Sequence, residues 1–163
     1  MLGVEYILYH ACMNDSIIYR GEYADKEICL KCGHDRYHKS NKNCKSHGPP
    51  HKALRHMPII QRIQRIFHFK ELTMLQGWHA SHISELGVMW ISTDSITMKH
   101  IENTWPKKFK DEVRSLRLNI KMDGVNPYSL QNTNYYIWLV LVINNNISPW
   151  LSMKNEHIML ALL

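Results

Sequence analysis

The sequence predicts an α+β protein in three successive parts. Three observations carry that expectation: a cysteine knuckle near the N-terminus, an amphipathic stripe in the middle, and an alternating segment followed by two apolar runs near the C-terminus. With 163 residues, 45% of them apolar and 21% charged, the chain has material for a packed core and lies outside the low-hydropathy, high-charge regime of disordered chains. The expected parts are 1–45, rich in Cys and His; 46–110, a basic linker and helices; and 111–163, strands.

The first part holds an extended candidate, Ser16 to Tyr23, and the knuckle Cys29-Leu30-Lys31-Cys32-Gly33. Zinc takes four tetrahedral thiolate or imidazole ligands, and Cys-x2-Cys supplies two of them from one tight turn, so this part resembles half a zinc ribbon. Cys12 stands upstream, and Ser16, four residues after it, occupies the place where a second pair would be completed. A hydroxyl is a poor zinc ligand, which leaves His34, His10 or Cys44 as a fourth donor. The candidate set is Cys12, Cys29, Cys32 and His34. The alternative is a metal-free cluster of buried thiols. Met1 to Cys12 lacks the basic region of a secretory signal and carries Glu5 inside its apolar run. A reducing compartment is therefore expected, favouring metal ligation over disulfides. The longest apolar run, Tyr135 to Ile143, has nine residues against the roughly 20 that a bilayer span needs, so no membrane partner is expected.

Charge locates the second part. The total is +6, yet Lys31 to Lys70 holds ten Lys or Arg against one acid, Asp35. A basic segment of this kind is the footprint of a phosphate-binding surface or, alternatively, a solvated loop. Ser40 to Pro50 is polar and turn-rich and reads as a linker. Pro58 is expected at a first helical position, followed by the stripe Ile59, Ile60, Ile63, Ile66 and Phe67. Arg62 and Arg65 lie three apart on the opposite side, where they reach adjacent phosphates or simply face solvent. With Lys52 and Arg55 they form the candidate DNA contacts. A second helix is expected from Asp94 or Ser95 to about Asn103, stopped by Pro106.

In the third part Leu116, Leu118, Ile120 and Met122 alternate with Arg117, Asn119 and Lys121, a half-buried strand pattern that ends at Asp123-Gly124. Tyr135 to Ile143 and His157 to Leu163 are two further strands, with Asn144-Asn145-Asn146 and Ser148-Pro149 as the break between them, so a three-stranded meander is the economical arrangement. A carboxylate at a strand end can hold Mg²⁺ for phosphodiester chemistry. By spacing alone, Asp-Gly is first of all a turn signal.

Taken together, these blocks resemble a family. Ala11-Cys12-Met13-Asn14-Asp15-Ser16 and Cys29-Leu30-Lys31-Cys32-Gly33-His34-Asp35-Arg36-Tyr37 are similar to the Cys-Pro-Asn-Asp-Cys and Cys-Pro-x-Cys-Gly-x-Ser-Arg-Tyr blocks of plant CACTA (En/Spm-type) DNA transposases. Met57-Pro58-Ile59-Ile60 with Arg62, Trp78-His79-Ala80, Asp123-Gly124-Val125-Asn126-Pro127-Tyr128 and Pro149-Trp150-Leu151-Ser152-Met153-Lys154 resemble further blocks in the family's order. The resemblance implies a nuclear DNA transposase with an RNase H-like catalytic domain, Mg²⁺ as cofactor and DNA as partner, with no small-molecule substrate. It implies that 111–163 is the N-terminal part of that domain, its first three antiparallel strands, and that Asp123 is the first acid of the metal-binding triad. It also implies that Cys12, Cys29 and Cys32 match three family cysteines.

Ser16 replaces a family Cys, Leu139 a Pro, and Ser148 and Ser152 a Pro and a Cys. The chain stops at Leu163, before the segments that would carry further acids. The expectation is a truncated remnant, inactive alone, that partners DNA and an intact transposase. A non-enzymatic zinc-dependent nucleic-acid-binding module and a non-functional pseudogene product are the alternatives.

Overall fold

The computed structural model describes residues 5–39, 47–85, 87–126 and 136–163. Cys44, most of the Ser40–Pro50 linker, and the start of the Tyr135–Ile143 run lie outside the described residues. The chain divides into two units, one of residues 1–58 with Leu162 and Leu163, the other Ile59–Ala161.

In the first unit β1 (Ile7–Ala11) pairs antiparallel with β2 (Lys52–His56), Ile7 opposite His56 and Ala11 opposite Lys52. On the other side of β2, Arg55 and Leu163 exchange both backbone hydrogen bonds, at 2.7 and 2.9 Å. The core of this unit is small and sulfur-rich: Cys12, Ile17, Tyr19 and Cys29, flanked by Tyr23 and Cys32. The expected strand Ser16–Tyr23 is reduced to one bridge, Ala11 to Ile18, after which Gly21–Tyr23 forms a 3-10 turn. Gly21 with φ +56° turns the chain there.

The second unit begins with α1 (Ile60–His68), α2 (Lys70–Leu75) and α3 (Trp78–Ser81). Pro58 does not take the first helical position. The first i to i−4 bond runs from Ile63 N–H to the Ile59 carbonyl, so Ile59 caps and Pro58 precedes it. Of the predicted stripe, Ile59, Ile63 and Ile66 are half-buried while Ile60 and Phe67 are exposed. The helix expected near 95–103 is α4 (Ile96–Thr104), whose cap Ser95 accepts from Met98 N–H at 3.2 Å. Pro106 does more than stop it: with no N–H to satisfy, it opens α5 (Pro106–Phe109).

Strand β3 (Leu118–Val125) pairs antiparallel with β4 (Ile137–Asn144) over eight residue pairs, from Leu118 opposite Asn144 to Val125 opposite Ile137. After α6 (Pro149–Ser152) comes β5 (Met159–Leu162). In the second unit β5, β4 and β3 are successive neighbours, and among the described residues β3 is an edge. The alternation in β3 has the expected period, but the strand is not half-buried: Ile120 and Met122 are 70% and 72% exposed.

The Asn144-Asn145-Asn146 segment is more than a break. Asn146, fully buried, accepts from Arg117 N–H at 2.7 Å through its side chain and donates to the carbonyls of Ser115 and Gln76 at 2.9 and 3.3 Å. Asn144 donates to Gln76 Oε1 at 2.7 Å and accepts from Asn146 N–H at 3.0 Å. Arg117, also buried, reaches Glu102 Oε1 at 2.8 Å and the Phe109 carbonyl at 2.6 Å. This network ties α2, α4 and α5 to the root of β3 and so fixes the strand that carries Asp123.

Candidate metal centre and strand carboxylate

Two tight turns build the first candidate site. At the first, Cys12 N–H donates to the Ile17 carbonyl at 3.0 Å, and Asp15 N–H donates back to the Cys12 carbonyl at 3.0 Å. At the second, Cys29 N–H donates to the His34 carbonyl at 2.9 Å, and Gly33 N–H donates to the Cys29 carbonyl at 2.8 Å. Each turn needs one residue in the left-handed region, Asp15 at φ 55° and Gly33 at φ 71°. Asp is among the few residues with a side chain that tolerate it, and Gly tolerates it freely. A bridge closes the base of each turn, Ala11 to Ile18 and Ile28 to Asp35. The turn at Cys12, where the sequence sets Ser16 in place of a second cysteine, thus stands beside the Cys-x2-Cys knuckle.

The turns bring Cys12, Cys29 and Cys32 together with all three Sγ atoms within 4.8 Å of one another, Cys12 and Cys32 at 3.2 Å. Tetrahedral zinc with Zn–S bonds of about 2.3 Å sets its sulfurs roughly 3.8 Å apart. The three thiols therefore fit one metal ion. Backbone N–H groups already point at the sulfurs: Asn14 toward Cys12 at 3.4 Å, Lys31 and Cys32 toward Cys29, and His34 toward Cys32. Such donors stabilise thiolate, the ligating form. The His34 N–H, with the Cys12 side chain, holds the Cys32 thiol down to about 6, whereas burial pushes the Cys29 thiol up.

Among the described residues the predicted fourth donors do not join this group. His34 contributes its backbone to both flanking cysteines while its residue is exposed. His10 Nδ1 accepts from Arg36 Nε at 2.9 Å, and burial with the Arg36 charge lowers its pKa. Arg36 also donates to the carbonyls of Ala24 and Lys26 and lies over the Tyr19 ring at 4.7 Å. This residue, which the sequence offers only as part of the knuckle block and the basic stretch, buttresses the cluster.

Asp123 lies within β3, opposite Leu139, exposed, with the strand continuing through Gly124 to Val125. The turn reading of Asp-Gly therefore does not hold. Gly124 has no positive φ, and its bare backbone receives the Trp138 indole, at 3.7 Å from where a Cβ would stand. Asn119 and Lys121 share the strand face of Asp123 and line a cavity of about 220 Å³ with Trp90, Ser92, Asn145 and Met153. The cavity was not legible in sequence, because Trp90 and Ser92 reach it from a segment without periodicity. Among the described residues the Cys cluster is the one group of three or more metal-ligating side chains, and Asp123 is outside it.

The candidate DNA contacts differ in their state. Lys52 is engaged by both carboxylate oxygens of Asp15, at 2.8 and 2.7 Å. Arg55, three positions on in β2, falls on the opposite strand face and has its guanidinium 5.9 Å from the Tyr6 ring. Arg62 and Arg65 share one side of α1, half-buried and exposed, and among the described residues no ion pair engages either.

With this geometry in view, the C-terminal part of the chain compares with a transposase. Residues 87–163, which include α4, α5, β3, β4, α6 and Asp123, match the model of the transposase family tnp2. No curated protein and no solved structure matches the chain. Among the described residues no helix is long and apolar enough to cross a membrane.

Proposed function

We propose that this chain is a DNA-handling part of a CACTA-type transposase, acting in the nucleus. The observation that carries the reading is the match of residues 87–163 to transposase family tnp2. The β3-β4-β5 succession supports an RNase H-like sheet, with Asp123 on its first strand as a Mg²⁺ ligand. Lys52, Arg55, Arg62 and Arg65 are assigned to phosphates. Four such contacts give a slope of roughly −3.6 for log affinity against log salt on duplex DNA, and each Arg→Ala change flattens it by about 0.9. Binding without salt dependence refutes the assignment.

Cleavage by two metal ions needs several carboxylates, and Asp123 stands outside any metal-ligating group of the described residues. The chain alone is therefore proposed to bind DNA without cutting it and to act with an intact transposase. Mg²⁺- or Mn²⁺-dependent nicking of transposon-end DNA that disappears in Asp123→Asn overturns this. A second reading, a nucleic-acid-binding module organised by zinc, draws on the Cys cluster, which lies outside residues 87–163. It expects one equivalent of zinc and loss of DNA affinity on chelation, with Asp123→Asn without effect.

A further inference from the structure

The two cysteine turns are built on one plan, yet they do not present equal ligands. The second turn offers Cys29 and, three residues on, Cys32; the first offers Cys12 and, four residues on, Ser16. Ser16 is aimed at the cluster: its hydroxyl is a hydrogen-bond partner of the Cys32 thiol, and it also donates to the Asn14 carbonyl at 3.3 Å. Three thiols within 4.8 Å and one hydroxyl beside them make a tetrahedral corner with a donor too weak to bond zinc. His10 is held by Arg36 and His34 is exposed, so neither fills that corner.

We infer that the site binds a divalent metal through Cys12, Cys29 and Cys32 alone among the described residues and keeps its fourth position, beside Ser16, open to one exogenous thiolate or imidazole donor. This rests on the reading of the cluster as a metal centre. Three-ligand zinc with an open position is the arrangement that exchanges ligands, while four protein ligands close a structural site. The metal is thus placed to be capped by a side chain from another molecule. An incoming thiol or imidazolium gives its proton to solvent as its sulfur or nitrogen bonds the metal, and the bound water leaves.

The test uses the full chain loaded with Co²⁺, whose visible absorption reports ligand number and type. The wild type is expected to take up one Co²⁺ and to change its spectrum when 2-mercaptoethanol or imidazole is added, two arms that separate the donor classes. Ser16→Cys is expected to abolish that response and to tighten the metal at least tenfold in chelator competition. Ser16→Ala is expected to leave metal affinity within twofold. Cys44→Ser is likewise expected to change nothing. An unresponsive wild-type spectrum, an unchanged Ser16→Cys protein, or loss of a thiolate band in Cys44→Ser overturns the open corner while leaving the metal centre standing. Absence of metal uptake by the wild type overturns the metal centre itself.

Discussion

Replacing Asn146 by Ala tests whether the buried amide network holds the second unit together. The change removes three side-chain hydrogen bonds, those to Arg117 N–H and to the carbonyls of Ser115 and Gln76. The Ser115 carbonyl keeps the Arg117 guanidinium at 3.0 Å. The Gln76 carbonyl keeps a hydrogen bond with the His79 ring, so Arg117 N–H is the group left unpaired inside the protein. An orphaned buried group costs about 1–3 kcal/mol, so about 2 kcal/mol is expected. That is a large share of the roughly 5–15 kcal/mol that ordinary domains possess. Its neighbour Asn145 makes one long side-chain bond, to Asn119 at 3.4 Å, and Asn145→Ala should cost less than about 0.5 kcal/mol. Urea denaturation followed by tryptophan fluorescence measures both variants. If Asn146→Ala unfolds within 0.5 kcal/mol of the wild type, the network does not carry the stability assigned to it.

Three further outcomes follow from named residues. Gly33→Ala forces a side chain to φ 71° where no atom lies within 4 Å, so the penalty is conformational, about 1–2 kcal/mol, read as weaker metal retention in chelator competition. Gly124→Ala meets only the Trp138 ring at ordinary contact distance and should be neutral to slightly stabilising in thermal unfolding, by up to about 1 kcal/mol. Burial, with the Arg117 charge, lowers the His79 pKa below 6.5, so the unfolded chain takes the proton first. Stability from this group is full above pH 6.5 and lost as pH falls from there toward the folded pKa. His79→Gln should flatten the slope of stability against pH in that window by up to about 1.4 kcal/mol per unit, measured by urea titrations from pH 7.5 to 5.

Local chemistry was the legible part. Ser95 announced the start of α4 because a hydroxyl before a periodic segment satisfies an orphaned N–H, and the alternation of β3 gave its period. The three clustering cysteines were all named from spacing. What sequence concealed was decided by partners far along the chain. Asp-Gly carries a turn signal, yet the Trp138 indole, fourteen residues on, makes Gly124 a packing position within a strand. Two of the three asparagines read as a break, Asn144 and Asn146, become a buried hub only because Gln76 and Arg117 converge on them. The likeness between the two cysteine turns is a property of backbone hydrogen bonds and left-handed φ values, which Cys-x3-Ser and Cys-x2-Cys do not advertise.

Among the described residues strand β3 ends the ladder, with one row of its backbone groups unpaired by a further strand, and it presents Ile120 and Met122 bare beside Trp138. Strands β4 and β5 are interior, so the sticky border of the ladder is β3. In concentrated solution this border is where a stray extended segment zips on. Lys121 and Asp123, both exposed on the strand's other side, are the charges that discourage it. The carboxylate assigned to metal thereby also guards solubility, and its neutralisation exacts a cost in the test tube that has nothing to do with catalysis.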